Sequence, residues 1–377
     1  MDARAVRTAV AWLAEGRRVA AATLVEVVGS APFELGATLL VAEGGAIEGS
    51  VTGGCVEGAL VEEARAVLDG GDGDGARARV VTYGISDEQA VGVGLACGGT
   101  VRVLVGELDE AAPLEAVADA LEDGVPAALA LLLDGPQAGA RLAVVGQDDV
   151  VGGFGVTALL DHGVARDARG FLDEGRSGLR GYGAAGETLG SALRVAIHSH
   201  ATPPSMVLFG ATDYAAALAR AAGLIGYRVT IVDARSAFAA GPRFTQHAEV
   251  VVAWPGEHLP RTRLGPRDAV LVLTHDPKFD EPALLSSLQT GAGYIGALGS
   301  RRTAAARAQR LRDLGVTDAE LARISAPCGL DVGARTPEET AVAVLGEILA
   351  LRAGRAGGRL AEASGPIHPR EQAPARR

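Results

Sequence analysis

Between residues 203 and 352 the sequence alternates short apolar runs with helical segments, and this alternation leaves few folds open. The runs are SMVLFG, YRVTIVD, EVVVAW, AVLVLTH and GYIGALG. Helical spacing fits between most of them, for example over 213–223 and 281–289. Strands that are apolar at almost every position are buried on both faces, and crossover helices supply the cover. The pattern therefore predicts a Rossmann-like, doubly wound parallel sheet in an α/β domain spanning 203–352. Its last helix has a clear start, with Thr336 at the N-cap, Pro337 at the first helical position and Glu339 two residues on. That is a capping box with a proline where no N–H is needed. Val344, Leu345, Ile348 and Leu349 are the expected buried stripe. The tail 353–377 is rich in Arg, Pro, Gly and Ala without periodicity, and disorder is expected there.

The region up to residue 108 reads as an α+β, Gly/Cys-rich domain. A helix over 4–15 leads to the strand VAAATLVEVVGS, a turn at Ala31-Pro32 and the strand ATLLVAE. A turn at Gly44-Gly45 follows, then GSVTGGCVEGALVEEARAVL, whose Val56, Leu60, Ala64 and Val67 have helical spacing. The strands VVTYGI and TVRVLVGEL close the region. Residues 109–202 read as a degenerate second copy. VPAALALLLDGPQAGARLAVV follows VAAATLVEVVGSAPFELGATLLVAE, Gly152-Gly153 answers Gly45–Gly49, and Tyr182-Gly183 answers Tyr83-Gly84. The copies differ where the first carries cysteine: TGGCVEG stands against VTALLDH, and LACGGTV against LGSALRV. The alternative is two β-rich stretches of similar composition.

Several classes of function are disfavoured. A formal net charge of −11 does not suit a nucleic-acid binder, which needs cations to displace counterions from phosphates. No apolar run is long enough to span a bilayer, and the N-terminus lacks the pattern of a signal peptide, so the cytoplasm is the expected location. Three scattered cysteines make neither a disulfide framework nor a Cys-x-x-Cys zinc site.

Candidate chemistry gathers in two places. Cys55 follows Gly53-Gly54 and opens a predicted helix, where unpaired N–H groups favour a thiolate. The other reading is a tight turn around a buried thiol. Cys97, followed by Gly98-Gly99, repeats the arrangement, and two such thiols suit a soft metal centre or a sulfur-bearing ligand. Cys328 is read as structural. In the C-terminal domain, ligands of open α/β sheets bind at the carboxyl ends of the strands. Gly210, Asp213, Asp233, Arg235, His275, Lys278, Ser300, Arg301 and Arg302 are all expected there. Gly210 opens an incomplete G-x-G-x-x-G, since Thr212 and Ala215 fill the other glycine positions, so the signal for NAD(P) is weak. Ser300 as an N-cap with Arg301 and Arg302 suits a phosphate, against a solvated helix face as the alternative.

Several blocks carry a resemblance: GSAPFELGATLLV, GSVTGGCVEGALVEEA and GLACGGTVRVLV, then LFGATDYAAALARAAGLIGYRVTIVDAR, LTHDPKFDEPAL, YIGALGSRRT and GLDVGARTPEETAVAVLGEILA. The chain resembles the XdhC/CoxI family of xanthine dehydrogenase accessory proteins over about 15–108 and 205–352. It departs from the family at Phe33, where a basic residue is usual, and at Cys328, where the family has aliphatic or small residues. The resemblance implies a chaperone rather than an enzyme. Such a protein binds the molybdenum cofactor (molybdopterin), supports its sulfuration by a cysteine desulfurase, and delivers it to an apo molybdenum hydroxylase of the xanthine- or CO-dehydrogenase kind. By motif match Cys55 and Cys97 are the expected contacts, metal included, with Gly53, Gly54, Glu57, Gly98 and Gly99 around them. A homodimer is one expected assembly. The alternative is an NAD(P)-dependent oxidoreductase, and a third reading has Cys55 carry a persulfide as a sulfurtransferase.

Overall fold

The structure, a computed structural model, describes residues 1–28, 34–70, 78–84, 100–188, 190–235 and 242–364. They fall into two compact units, the first taking in Met1–Thr202 and the second beginning at Pro203.

The first unit holds two five-stranded antiparallel sheets. Its elements are α1 (Ala3–Ala14), β1 (Val19–Val28), β2 (Thr38–Ala42), β3 (Ile47–Gly49), α2 (Glu57–Leu68), β4 (Ala78–Tyr83) and β5 (Thr100–Glu107). There follow α3 (Ala112–Glu122), β6 (Ala127–Leu132), β7 (Arg141–Val145), β8 (Asp149–Gly152), α4 (Ala158–Glu174), β9 (Gly178–Tyr182) and β10 (Leu193–His200). The first sheet has the order β3-β2-β1-β5-β4 and the second β8-β7-β6-β10-β9. The two halves thus repeat one element order and one strand order. Each of the two sheets is covered on one face by its own helix. Alternate residues of β1 serve different cores: Ala20, Ala22 and Leu24 pack under α2 with Leu60 and Ala64, while Val19, Ala21 and Val25 face a core shared by both halves. In β6, Ala128, Ala130 and Leu132 likewise pack under α4, and Ala127, Leu129 and Leu131 face the shared core. Helices α1 and α3 contribute Val6, Ala9, Leu114 and Val117 to that shared layer. With both faces buried, β1 and β6 show no regular polar–apolar alternation.

The glycines ending β3 and β8 show the repeat at atomic scale. Gly49 has φ +87° and a Cβ there would lie 2.2 Å from the Thr38 carbonyl oxygen; Gly152 has φ +81° and a Cβ would lie 2.7 Å from the Arg141 carbonyl oxygen. Each stands opposite the start of the neighbouring strand, in the pairs Leu39–Gly49 and Leu142–Gly152. Gly49→Ala and Gly152→Ala are each expected to destabilise the unit by about 1–3 kcal/mol, through the unfavourable φ and the lost close approach. The check is the urea midpoint of the purified chain, and an unchanged midpoint would count against this strand pairing.

The second unit holds six parallel strands: β11 (Ser205–Phe209), β12 (Arg228–Val232), β13 (Glu249–Val251), β14 (Ala269–Val272), β15 (Tyr294–Ala297) and β16 (Ile324–Ser325). Their order is β13-β12-β11-β14-β15-β16. Counted from β11 this is 3-2-1-4-5-6, the order of dinucleotide-binding sheets, whose direction of winding switches between the first and fourth strands. Met206, Leu208, Ile231 and Leu271 face α5 (Asp213–Leu224) and the last long helix, Pro337–Arg352; Val207, Phe209, Val270 and Val272 face the helix Pro277–Leu288. That helix begins four residues before the expected 281, because Asp276 caps it and Pro277 takes its first position. In the last helix the capping box of Thr336 and Glu339 is formed. Its buried face is Ala341, Val344, Leu345 and Ile348; Leu349, expected in the stripe, has turned out to 39% exposure.

Candidate functional site

In the first unit the loop Ser50–Val56 is built around one carboxylate. Glu57 Oε1 accepts from Ser50 Oγ at 2.7 Å and from the N–H groups of Val51 and Thr52 at 3.0 and 2.6 Å. Oε2 accepts from Thr52 Oγ1 at 2.9 Å and from the N–H groups of Gly54 and Val56 at 2.7 and 3.2 Å. Partial burial pushes the Glu57 pKa up, but the donors from Ser50 and Thr52 outweigh it and bring the value down to about 2. Glu57, expected among the cofactor contacts, has both oxygens engaged by its own loop, so its place is that of a scaffold. The loop turns at Gly53 and Gly54, with φ +69° and +124°, and both glycines are exposed. Cys55 is exposed as well, two residues before the first residue of α2, so the reading of a buried thiol in a tight turn does not hold.

In the second half, Asp161 stands in for Glu57, accepting from Phe154 N–H at 3.1 Å, and the exposed Leu159 falls at the place of Cys55. Cys97, Gly98 and Gly99 lie outside the described residues. Among the described residues no three His, Cys, Asp or Glu side chains gather as a metal site.

In the second unit the expected residues all lie at the carboxyl ends of the strands. Gly210 has φ +104°, and a Cβ there would lie 2.3 Å from Thr274 Cγ2, so its missing side chain makes room for Thr274 across the switch point between β11 and β14. Asp233 is fully buried and accepts four bonds: Ala211 N–H at 2.8 Å, Arg235 N–H at 2.9 Å, and the Arg235 guanidinium through Nε at 2.9 Å and Nη2 at 2.8 Å. Burial alone would raise the Asp233 pKa, but the Arg235 side chain and the backbone donors hold it below the usual carboxylate value. The acid placed where a ribose-binding group belongs therefore locks Arg235 and the turn after β11. Asp213 is exposed and pairs with Arg243 at 2.6 Å. His275 and Lys278 are exposed beside Asp276, which caps its helix by accepting from Lys278 N–H at 3.1 Å. Ser300 caps the helix Arg301–Asp313, accepting from Thr303 N–H at 3.1 Å. Arg301 is exposed and faces Asp331 at 3.4 Å, and Arg302 is exposed.

Two features escape a reading of the sequence. Arg307, 2% exposed, donates to Asp280 Oδ2 at 2.7 Å and to the Leu298 carbonyl at 3.1 Å, while Thr274 donates to the other Asp280 oxygen. This buried network ties the ends of β14 and β15 to the helices that follow them. Its signal is the stripe Ala304, Arg307, Leu311, an apolar spacing with an arginine in it. The second is Trp254, just past β13, which is 51% exposed with its ring centroid 5.2 Å from that of Phe279. Cys328 is buried, which pushes its thiol up to about 12.

The family model for the XdhC Rossmann domain matches residues 206–348, and that for the XdhC and CoxI family matches residues 12–84. The uncharacterized protein YqeB of Escherichia coli strain K12 is 29% identical over 272 residues, which is 69% of this chain and 48% of YqeB. The chain thus spans about half the length of that relative. PaoD of the same organism, a molybdenum cofactor insertion chaperone, is 28% identical over 92% of this chain and 87% of its own. A Bacillus subtilis strain 168 protein described as a probable xanthine dehydrogenase subunit is 25% identical over 91% of this chain and 96% of its own. A crystal structure described as a xanthine dehydrogenase from Bacillus halodurans shares the fold, with TM-score 0.57 and 23% identity, over 96% of this chain and 98% of that one. With family matches in both units, over more than half of its length, the chain belongs to the XdhC and CoxI family.

Proposed function

We propose that the protein is a carrier that takes up the molybdenum cofactor and inserts it into a molybdenum hydroxylase of the xanthine- or CO-dehydrogenase kind. The observation that carries this reading is the exposed Cys55 on its Gly53-Gly54 turn, held out by the Glu57 hub in a chain whose relative PaoD is a cofactor insertion chaperone. A soft thiolate suits the metal–sulfur end of the cofactor. Cys97 with Gly98 and Gly99 is proposed as a second contact. Ser300, Arg301 and Arg302 are proposed to meet a phosphate. Support for sulfuration through a cysteine desulfurase, and assembly as a homodimer, belong to the same proposal.

The NAD(P)-dependent oxidoreductase keeps one observation in its favour, the strand order of the second unit. Against it, both carboxylate oxygens of Asp233 are already engaged by Arg235 and the backbone. The test is delivery. The chain, isolated from a host with an intact cofactor pathway, is mixed with an apo molybdenum hydroxylase, and substrate oxidation is followed. Activity that rises with the amount of carrier is expected. No activation, together with nicotinamide reduction by the chain alone, would move the reading to the oxidoreductase.

A further inference from the structure

Large aromatic side chains are usually well buried, and a half-exposed tryptophan backed by a second ring needs a reason. Trp254 stands at the carboxyl rim of the parallel sheet, where α/β sheets take their ligands. Phe279, 7% exposed, supports its ring from inside the fold. The ends of β12 and β13 run side by side, with Asp233 N–H donating to the Val251 carbonyl at 3.1 Å. Arg235, two residues past Asp233, and Trp254, three past Val251, therefore share that rim. Asp233 fixes Arg235 in place, and Asp276, the cap of the helix that carries Phe279, acts electrostatically on the same guanidinium. The rim thus combines a flat apolar face with a positioned cation.

We propose that Trp254 is the stacking wall of a subsite for a planar nitrogen heterocycle joined to a phosphate, with Arg235 toward the anionic part. Two sources share that chemistry: a nucleotide base and a pterin. The subsite rests on the carrier reading only for the identity of its natural occupant.

The chain has two tryptophans, Trp12 and Trp254, so Trp12→Phe leaves Trp254 as the sole reporter. AMP, CMP, adenosine and a phosphorylated pterin are titrated into that full-length variant while tryptophan emission is read. Saturable quenching by a phosphate-bearing probe is expected, with adenosine at least about tenfold weaker. Quenching by AMP or CMP alone assigns the wall to a base, and quenching by the pterin alone assigns it to the pterin. By calorimetry Trp254→Ala is expected to weaken binding at least about tenfold, and Trp254→Phe to keep most of it, since a phenyl ring still stacks. No saturable quenching by any probe, or equal affinity in Trp254→Ala and wild type, would overturn the subsite. If wild type and Trp254→Ala still carry molybdenum while no probe binds, the subsite falls and the carrier reading stands. If the probes bind but the chain never carries molybdenum, the carrier reading falls and the subsite stands.

Discussion

Replacing Asp280 by alanine is expected to cost the second unit about 3–5 kcal/mol. The change strands the Arg307 guanidinium, whose side chain is 2% exposed and whose Nε has no hydrogen-bond partner among the described residues. A buried cation without its anion retains the full cost of leaving water while losing the attraction that offset it. Thr274 Oγ1 loses its acceptor at the same time. The double replacement Asp280→Leu with Arg307→Met removes the charge together with its need for a partner, and is expected to recover most of the loss. Urea unfolding in the Trp12→Phe background reads this unit through Trp254. A loss under about 1 kcal/mol in Asp280→Ala would mean that the network is more hydrated than its burial indicates.

Glu57→Gln is expected to loosen the Cys55 loop by on the order of 2 kcal/mol, discounted for the partial exposure of the carboxylate. An amide presents one acceptor oxygen where the carboxylate presents two, and its NH2 group would face the N–H groups of Gly54 and Val56 or of Val51 and Thr52. The measurement is hydrogen exchange at the Thr52 and Gly54 amides, expected to quicken about thirtyfold, the rate equivalent of that energy. The same hub sets a pH dependence. The folded pKa of about 2 lies below the ordinary 4.5, so the stabilisation is complete above pH 4.5 and fades as the pH falls from there toward 2. Wild type should lose protection at these amides across that window, and Glu57→Gln should show no such step.

The parallel sheet was legible in the sequence because five apolar runs separated by helical spacing admit few arrangements. The strand order of the first unit was foreshadowed by the matching of VAAATLVEVV with VPAALALLL, where small and aliphatic residues serve cores on both faces. Side-chain roles were harder to read, because they depend on partners distant in sequence. Glu57 lies among residues expected to touch a ligand, yet its bonds run back to residues 50–56, a local geometry that a motif does not encode. Gly210 reads as the first glycine of an incomplete dinucleotide fingerprint, but the group its missing Cβ makes room for is Thr274, 64 positions away. Asp233 was placed correctly at its strand end; that Arg235 would fold back onto it could not be read from spacing. Arg307 is one of five arginines in RRTAAARAQRLRD, and only its register with Ala304 and Leu311 marks it as buried.

Carriage of the cofactor through Cys55 is tested most directly by the molybdenum and pterin content of wild type and Cys55→Ala, each isolated from the same cofactor-competent host and checked for equal thermal stability. Wild type is expected to hold both in near-stoichiometric amounts, and Cys55→Ala, with its melting temperature unchanged, to hold at least about tenfold less, the loss of one favourable contact of about 1.4 kcal/mol or more. Equal molybdenum and pterin in the two proteins would contradict it.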